Sequence, residues 1–431
     1  MKPFFKNLLP FSAYILWLLA FPMQGVLLQK TAISHPLPIF LIPHILSLFL
    51  IGLSHNRLNI VRISFVALPL ISLLTLWTLL AEAWAEFALI GTALLSPFFL
   101  IRAGIGLKSF QNTTLITGLA LALGNFLLVV LIEAPVPAMT GIVLVSLLPL
   151  TALHANFQVT DLHQGDPFYR YLPFVLVFYF VGGLMYGFLV PRYAETAWIH
   201  ESELFFYMLA VLTVWPLSRR EPELLLALAI LCGMGAVSLF AGTSPGMINL
   251  SMYLMQASFG FSDLFLILLM ITSAQPVRTL GLGTAAMCLG ILGGETLVRF
   301  AGVYLEPAVV GGNIVLTIAV LSLYVIGKMK NPPMASEDRS EVGGAPDGTI
   351  ESVCMDLPPW IASRLSLQER TALELVIKGK VFREVALEMG ISESTVKTYM
   401  RRVYEKLEVS GKEAVIRKMN GILEKEDLLV Q

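Results

Sequence analysis

The chain has 431 residues, of which 56% are hydrophobic and only 14% are charged. Soluble domains contain about 45–50% apolar and about 25% charged residues, so the composition excludes an ordinary soluble protein and indicates that much of the chain lies in lipid. The net charge of −1 hides an uneven distribution, because residues 331–431 hold 14 of the 29 Lys and Arg and 17 of the 30 Asp and Glu. Two chemically different segments therefore share the chain.

The first 330 residues contain repeated apolar runs that are long enough to cross a bilayer. A membrane-spanning helix needs roughly 20 mostly apolar residues, and twelve such runs are predicted, six on each side of the polar stretch 155–171. The first run is interpreted as a span and not as a removable signal, because it has no small-residue cleavage site. The predicted spans are 8–28, 37–54, 63–81, 83–101, 114–132, 138–154, 172–190, 204–217, 223–241, 246–271, 277–300 and 309–327.

The basic residues between the spans predict the orientation of the bundle. With a cytoplasmic N-terminus, only Lys30, Arg192 and Arg299 lie outside, and the twelve other Lys and Arg of the first 330 residues lie inside. This bias has the sign of the positive-inside rule, and it predicts a multi-pass protein of the inner (cytoplasmic) membrane with both termini in the cytoplasm. The inside residues are Lys2, Lys6, Arg57, Arg62, Arg102, Lys108, Arg170, Arg219, Arg220, Arg278, Lys328 and Lys330.

After Lys330 the composition changes abruptly. Residues 331–359 are rich in Pro, Gly, Ser and acidic residues and have almost no periodic apolar pattern. Such a segment cannot bury enough surface to offset the cost of ordering it, so a flexible linker is predicted. Helical periodicity returns at about Trp360, and residues 360–431 are expected to form a separate small domain, large enough to fold alone.

This small domain has the pattern of four short helices. Ser366 and Glu369 form a capping-box pattern at the start of the first helix, and Gly379 stands where a helix end favours a left-handed residue. A second helix ends at Gly390, Ser392 caps a third, and a fourth begins near Gly411. Two short helices joined by a tight turn containing glycine are typical of a helix-turn-helix.

The third predicted helix carries a basic face. Lys397, Thr398 and Arg401 are spaced so that they share one side of the helix, and Arg402 and Lys406 flank them. A helix fits the major groove of DNA, where Arg and Lys donate to guanine. The alternative for a basic helix taken alone is an ordinary solvated face, but the surrounding four-helix pattern favours DNA binding.

Residues 365–415 resemble the LuxR/GerE family of DNA-binding domains. The resemblance rests on Glu369, Gly379, Ala386, Ile391, Ser392, Thr395, Val396, Lys397, Lys406, Leu407 and Ala414. It implies that Lys397, Thr398 and Arg401 read bases, with Arg402 beside them, and that Thr395 and Lys406 contact phosphates. Thr371, Val385, Tyr399 and Lys412 depart from the family pattern, which bears on the preferred sequence more than on DNA binding itself.

The twelve spans, arranged as six plus six, resemble the major facilitator superfamily in architecture. The loop after the second span keeps Gly52 and Arg57 of the family signature, but Asn56 stands where an acid is expected and Asn59 where a glycine is expected. The loss of the acid argues against energised transport and leaves ligand binding open.

Ionisable residues inside spans are costly and usually functional. Asp263 is therefore a candidate for sensing in a central cavity. Glu295 and Arg299, which are spaced i, i+4 and so are close enough to pair, are further candidates for ligand binding or sensing. The alternative is that Arg299 reaches the membrane surface and Glu295 merely neutralises it. Further polar residues in the spans are assigned either to ligand contacts or to hydrogen bonds between helices, with structural roles favoured for the histidines: Asn125, Gln256, Asn313, His44 and His154.

Together these features predict an all-α protein in which a membrane domain senses a small molecule or a membrane condition and controls DNA binding. The expected partners are double-stranded DNA, the lipid bilayer and a small-molecule ligand, with a homodimer through the C-terminal domain as a further option. The alternative is a working secondary transporter with a DNA-binding regulatory tail. No catalytic constellation, metal spacing or cofactor motif is present in the sequence, and the three cysteines are isolated, so neither an enzyme nor a cofactor is expected.

Overall fold

The computed structural model divides into two compact units, Met1–Ser336 and Glu337–Gln431. We call them the membrane unit and the C-terminal unit. The structure describes residues 2–23, 26–28, 31, 33–81, 83–110, 112–155, 157, 167–213, 223–301, 310–318, 365–389, 391–407, 409, 411 and 415. The predicted linker 331–359, the start of the predicted C-terminal domain at Trp360 and nearly all of the fourth predicted helix lie outside these residues, as do Gly390, Lys412 and Ala414.

The membrane unit consists of apolar helices, and no strand occurs in the part of the chain that the structure describes. Its helices are α1 (Lys2–Leu18), α2 (Pro36–Leu53), α3 (Ile60–Leu80), α4 (Ala85–Leu107), α5 (Thr113–Glu133), α6 (Ala138–Leu147), α7 (Leu172–Thr196), α8 (Glu203–Thr213), α9 (Glu223–Phe240), α10 (Pro245–Ile271), α11 (Pro276–Ala301) and α12 (310–318). Each of the twelve predicted spans overlaps one of these helices, which confirms the helical bundle, although residues 214–217 and 319–327 of the predicted spans lie outside the described residues.

Helices satisfy every backbone polar group within one segment, which is why they can cross lipid. Within the described residues, seven helical segments are both long and apolar enough to cross a membrane on their own, and four more are apolar but shorter. Two of the shorter helices continue into a segment of another helix type, one wound more loosely and one more tightly than an α-helix. A π-helical turn, Leu19–Met23, follows α1, and a 3₁₀ segment, Leu148–His154, follows α6.

Glycines bring helices of the two six-helix halves into close contact at one end of the bundle. A Cβ atom on Gly281 of α11 would lie 2.8 Å from the carbonyl oxygen of Leu48 and 2.9 Å from the Cα of Gly52, both on α2. A Cβ atom on Gly118 of α5 would lie 2.8 Å from the carbonyl oxygen of Val211 on α8. Small residues allow this backbone approach. We call this the closed end, at which α2 and α8 end and α5 and α11 begin.

Arg102 corrects one predicted boundary. The fourth span was expected to end at 101, with Arg102 in a loop, but α4 continues to Leu107 and buries this arginine. Its guanidinium donates to the carbonyl oxygens of Ala152 (2.7 Å) and Leu153 (2.9 Å) and to the hydroxyl of Ser64 (2.8 Å). A buried cation is tolerated when its donors are satisfied, so the helix continues past a charge that the sequence pattern had treated as its end.

The C-terminal unit has the predicted helices α13 (Leu367–Ile377), α14 (Phe382–Met389) and α15 (Glu393–Leu407). The capping box at Ser366 is confirmed, because its side chain accepts from the backbone of Glu369 and the Glu369 carboxylate accepts from the backbone of Ser366. Gly379 ends α13 with φ +89°, a conformation that favours glycine. The shared core is formed by Leu365, Ala372, Leu373, Leu375, Val376, Val385, Ala386, Val396, Met400, Val403, Leu407 and Val415.

The closed end yields a stability prediction. We expect Gly281→Ala to lower the thermal stability of the purified full-length protein, because the new methyl group would meet the α2 backbone, and overpacking typically costs about 1–3 kcal/mol. The measurement is the midpoint of thermal denaturation in detergent. Gly311→Ala on α12 is the control, since a Cβ there meets nothing within 4 Å. Equal midpoints for the two variants would refute the proposed close packing.

Candidate DNA-binding surface and membrane cavity

Helix α15 separates an apolar face from a polar one. Val396, Met400, Val403 and Leu407 are buried against α13 and α14. The side chains of Lys397 and Arg401 are 59% and 72% exposed, respectively. Arg402 and Lys406 are also exposed, and Thr395 and Thr398 are half-buried. The packing of the apolar face therefore fixes which residues of the helix are presented to solvent.

Two of the basic side chains on this surface are paired with acids of their own helix. Lys397 Nζ lies 2.7 Å from Glu393 Oε1, and Arg401 Nε lies 3.9 Å from Glu405 Oε1. Exposed ion pairs of this kind contribute only about 0.2–1 kcal/mol. The two cations can therefore leave their acids for DNA at little cost.

The threonines are held by local hydrogen bonds. The hydroxyl of Thr395 lies 2.7 Å from the hydroxyl of Ser392, whose oxygen also accepts from the Thr395 backbone at 3.2 Å. Ser392 is thus the N-cap that the sequence predicts. The hydroxyl of Thr398 donates to the carbonyl oxygen of Ser394 at 2.9 Å, which leaves its lone pairs and methyl group on the polar face of α15.

Lys406 joins the end of α15 to the start of α13. Its Nζ lies 2.6 Å from Glu369 Oε2, and the Glu369 side chain is only 4% exposed. Burial tends to raise the pKa of Glu369, but the hydrogen bond from Lys406, those from Ser366 and the charge of Lys406 outweigh burial, so the pKa of this carboxyl lies below its ordinary value. The side chain expected to meet phosphate thus has a partner inside the domain too, and it remains 43% exposed.

A cavity of about 150 Å³ lies between the two halves of the membrane unit. Its walls come from α1, α2 and α5 of the first half and from α7, α8, α10 and α11 of the second. The lining residues are Tyr14, Ile15, Leu18, Leu19, Met23, His44, Asn125, Tyr179, Tyr186, Leu204, Tyr207, Gln256, Phe259, Asp263, Thr284, Met287, Cys288 and Ile291. Most of this wall is apolar, with a few polar groups directed into it.

Asp263 lines this cavity and receives a hydrogen bond on each carboxylate oxygen. The hydroxyl of Tyr179 on α7 donates to Oδ1, and the hydroxyl of Tyr207 on α8 donates to Oδ2 at 2.9 Å. Ser262 lies 3.2 Å from the Tyr179 hydroxyl. The acid is therefore held in place by two neighbouring helices of the second half. Sequence reasoning missed both tyrosines, although a tyrosine hydroxyl inside an apolar span signals a polar partner.

The other polar residues noted in the spans have varied surroundings. His44 is buried, stacks on Phe40 and lies 2.7 Å from the hydroxyl of Ser96. Asn125 donates to the carbonyl oxygen of Leu121 on its own helix at 2.9 Å. Asn313 of α12 makes the predicted kind of hydrogen bond between helices, to Ser238 of α9 at 3.2 Å. His154 ends the 3₁₀ segment after α6.

Glu295 and Arg299 are brought together as the spacing predicts, but away from Asp263. Arg299 Nη2 lies 2.5 Å from Glu295 Oε1, and Arg299 Nη1 lies 2.6 Å from Nδ1 of His35, the residue that precedes α2. Neither member of the pair lines the cavity. Within the described residues, no group of three His, Cys, Asp or Glu side chains is placed to hold a metal ion.

Comparison with known families decides the nature of the C-terminal unit. Residues 363–419 match the family of bacterial regulatory proteins, luxR family, known as GerE. This segment is a LuxR-type DNA-binding domain. The match covers the capping box, the turn and all of α15. Among curated proteins, none matches this sequence.

The membrane unit has the fold of major facilitator transporters. A bacterial homologue of the iron transporter ferroportin, in an outward-facing state, aligns with a TM-score of 0.52 at 14% identity, covering 77% of this chain and 98% of that one. A variant of the E. coli fucose:proton symporter FucP aligns with a TM-score of 0.54 at 15% identity, with the same coverage. FucP in an outward conformation, a Major Facilitator Superfamily transporter, gives 0.53 at 15% identity, covering 75% and 97%. The expected architecture is thereby confirmed.

The LuxR-type domain yields a prediction about base contacts. We expect the fragment 355–431 to fold alone and to bind DNA with an affinity that falls steeply with salt, because phosphate contacts release counterions. Lys397→Ala and Arg401→Ala should each lower specific affinity by about 1–3 kcal/mol and relax sequence preference. Gel shifts with specific and random DNA measure both effects. Equal losses on both DNAs would show that these side chains do not read bases.

The Glu369–Lys406 pair yields a prediction about pH. Because the pKa of Glu369 is lower in the folded domain than in the unfolded chain, the pair stabilises the domain above the unfolded pKa of about 4.3. That contribution is lost as the pH falls through the folded pKa. We expect Glu369→Gln to lower the free energy of unfolding at pH 7 by about 1–3 kcal/mol and to flatten its decline below pH 4.5. Urea unfolding of the fragment at several pH values measures this.

Two variants separate stability from DNA contact at this pair. Glu369→Gln releases the Lys406 ammonium without removing it, so DNA binding at pH 7 should persist. Lys406→Ala should weaken binding to specific and random DNA nearly equally, as loss of a phosphate contact does. If Lys406→Ala lowers stability but leaves both affinities unchanged, Lys406 serves only to join α13 and α15.

Proposed function

We propose that the protein is a membrane-bound transcription regulator. Its membrane unit binds a small molecule in the cavity between the two halves, and this binding controls how the LuxR-type domain engages DNA. The observation that supports the proposal is the pairing, in one chain, of a DNA-binding domain with a bundle whose cavity presents an oriented carboxylate, Asp263. Neither role requires a catalytic group.

The bias of basic residues supports a cytoplasmic position for both termini, in the inner membrane, where the domain has access to DNA. With that orientation the closed end of the bundle faces the cytoplasm. A ligand in the cavity touches helices of both halves, so its binding can depend on how the halves are arranged. A change in the balance between two arrangements is the physical form that such a signal would take.

The second candidate function is secondary transport with a DNA-binding regulatory tail. The fold favours it, because the chain covers 98% of a ferroportin homologue and of a proton symporter. The loop after α2 argues against secondary transport. Asn59, which stands where transporters of this superfamily carry a glycine, accepts a hydrogen bond from the backbone of Arg62 at 3.1 Å and caps α3. Gly52 serves the close contact with α11.

Asp263→Asn tests the regulatory role. We expect this variant to insert and to bind DNA normally while the response of a reporter gene to growth conditions changes, because the cavity loses its charge. Glu295→Gln, which removes an acid outside the cavity, is the matched control and should leave the response unchanged. The operator is first found by footprinting the 355–431 fragment on genomic DNA. A full-length Asp263→Asn protein of normal abundance with an unaltered response would refute the sensing role.

A further inference from the structure

We propose that the ligand of the membrane cavity is a small organic ammonium ion. This inference rests on the proposed function in taking the cavity as the site of the signal molecule. It adds the chemical class of that molecule, which follows from the charge, the aromatic walls and the size of the cavity.

The charge of the cavity favours a cation. Among the residues that line it, all within the described part of the chain, Asp263 is the only carboxylate, and no lysine or arginine is present. Tyr179 and Tyr207 each donate to one carboxylate oxygen. A carboxylate offers about four acceptor positions, so these hydroxyls orient the group without filling it. Because an uncompensated charge at membrane depth is costly, a bound cation would complete the site.

The walls of the cavity carry the aromatic groups that bind ammonium ions. Five aromatic side chains line it: Tyr14, Tyr179, Tyr186, Tyr207 and Phe259. A cation within about 6 Å of an aromatic ring is attracted by its electron-rich face, and cages of such rings recognise quaternary ammonium groups.

Phe259 occupies the middle of this aromatic wall. Its ring centroid lies 5.9 Å from that of Tyr179 and 5.7 Å from that of Tyr186, with interplanar angles of 24° and 25°. It precedes Asp263 by one helical turn of α10, so ring and carboxylate share a face of that helix. On α7, Gly182 makes room for the ring, since a Cβ atom there would lie 2.7 Å from it.

The remaining polar groups disfavour a neutral sugar or polyol. Recognition of several hydroxyl groups needs several free donors and acceptors, whereas four of the polar side chains that line the cavity, in addition to Asp263, already have hydrogen-bond partners within the protein. His44 bonds to Ser96, Asn125 to its own helix, and two tyrosines to Asp263. The volume of about 150 Å³ matches a molecule about as large as benzene, which suits a compact ammonium ion.

Choline and its neutral isostere provide the test. In 3,3-dimethyl-1-butanol a carbon atom replaces the nitrogen of choline, so shape is kept and charge is lost. Isothermal titration of the purified full-length protein in detergent should show saturable binding of choline, and of tetramethylammonium, with at least tenfold weaker binding of the isostere. Asp263→Asn should weaken choline binding at least tenfold and Phe259→Leu several-fold. Glu295→Gln, the acid outside the cavity, should leave it unchanged.

Each outcome decides for or against the cation. Equal binding of choline and its isostere, choline binding that survives Asp263→Asn, binding of L-fucose in place of choline, or no binding of either ammonium ion would overturn the proposal. Phe259→Leu keeps the carboxylate and so tests the site even if Asp263→Asn fails to fold. If choline binds as expected but Asp263→Asn leaves the reporter response unchanged, the regulator hypothesis fails and the proposed ligand class stands. If Asp263→Asn changes the reporter response but no cation binds, the proposed ligand class fails and the regulator hypothesis stands.

Discussion

The cost of a polar or charged group in lipid is the constraint on which the membrane unit depends. Arg102 and Asp263 meet it differently. The Arg102 guanidinium donates to two carbonyl oxygens and a hydroxyl and is enclosed by α3, α4 and the segment after α6. The Asp263 carboxylate receives two hydroxyl donors, retains accepting capacity and borders a cavity. A charged group whose hydrogen bonds are all made within the protein has a structural role. One that retains free acceptor positions beside a cavity can bind a ligand.

The sequence predicted the parts that depend on local pattern. Apolar runs located the twelve helices that the structure describes in the membrane unit, and Ser366, Gly379 and Ser392 marked the ends of helices in the DNA-binding domain, because capping and helix periodicity act over a few residues. Pairs that are distant in sequence were not predictable. Tyr179 and Asp263 are 84 residues apart, and Glu369 and Lys406 are 37 apart. Only the packing of helices brings such groups together, and one chain's pattern of apolar residues does not specify which polar side chains will meet.

The core of the DNA-binding domain positions the exposed face of α15 without making its side chains rigid. Its core fixes the axis of α15, while Lys397 and Arg401 are paired with Glu393 and Glu405 on the same exposed face. These acids compete with phosphate and bases for the same cations, and salt screens both interactions. Breaking either pair costs about 0.2–1 kcal/mol, which is less than the about 1–3 kcal/mol that a good base contact contributes.

The same energetic reasoning limits how far a ligand in the cavity can shift the bundle between two arrangements. A ligand shifts an equilibrium between two arrangements only by the difference between its affinities for them, and moving a balance from 1:99 to 99:1 requires roughly a 10⁴-fold difference. Contacts confined to one half of the bundle would give almost no difference, because they would be the same in both arrangements. The cavity instead joins Tyr14 and His44 of the first half to Asp263 and Phe259 of the second. A charged ligand between them is bound fully only when both walls are near, so separating the halves weakens its attraction steeply. In the structure the halves touch through Gly118 and Gly281 at the closed end, so an arrangement that separates the halves there would have to break these backbone contacts.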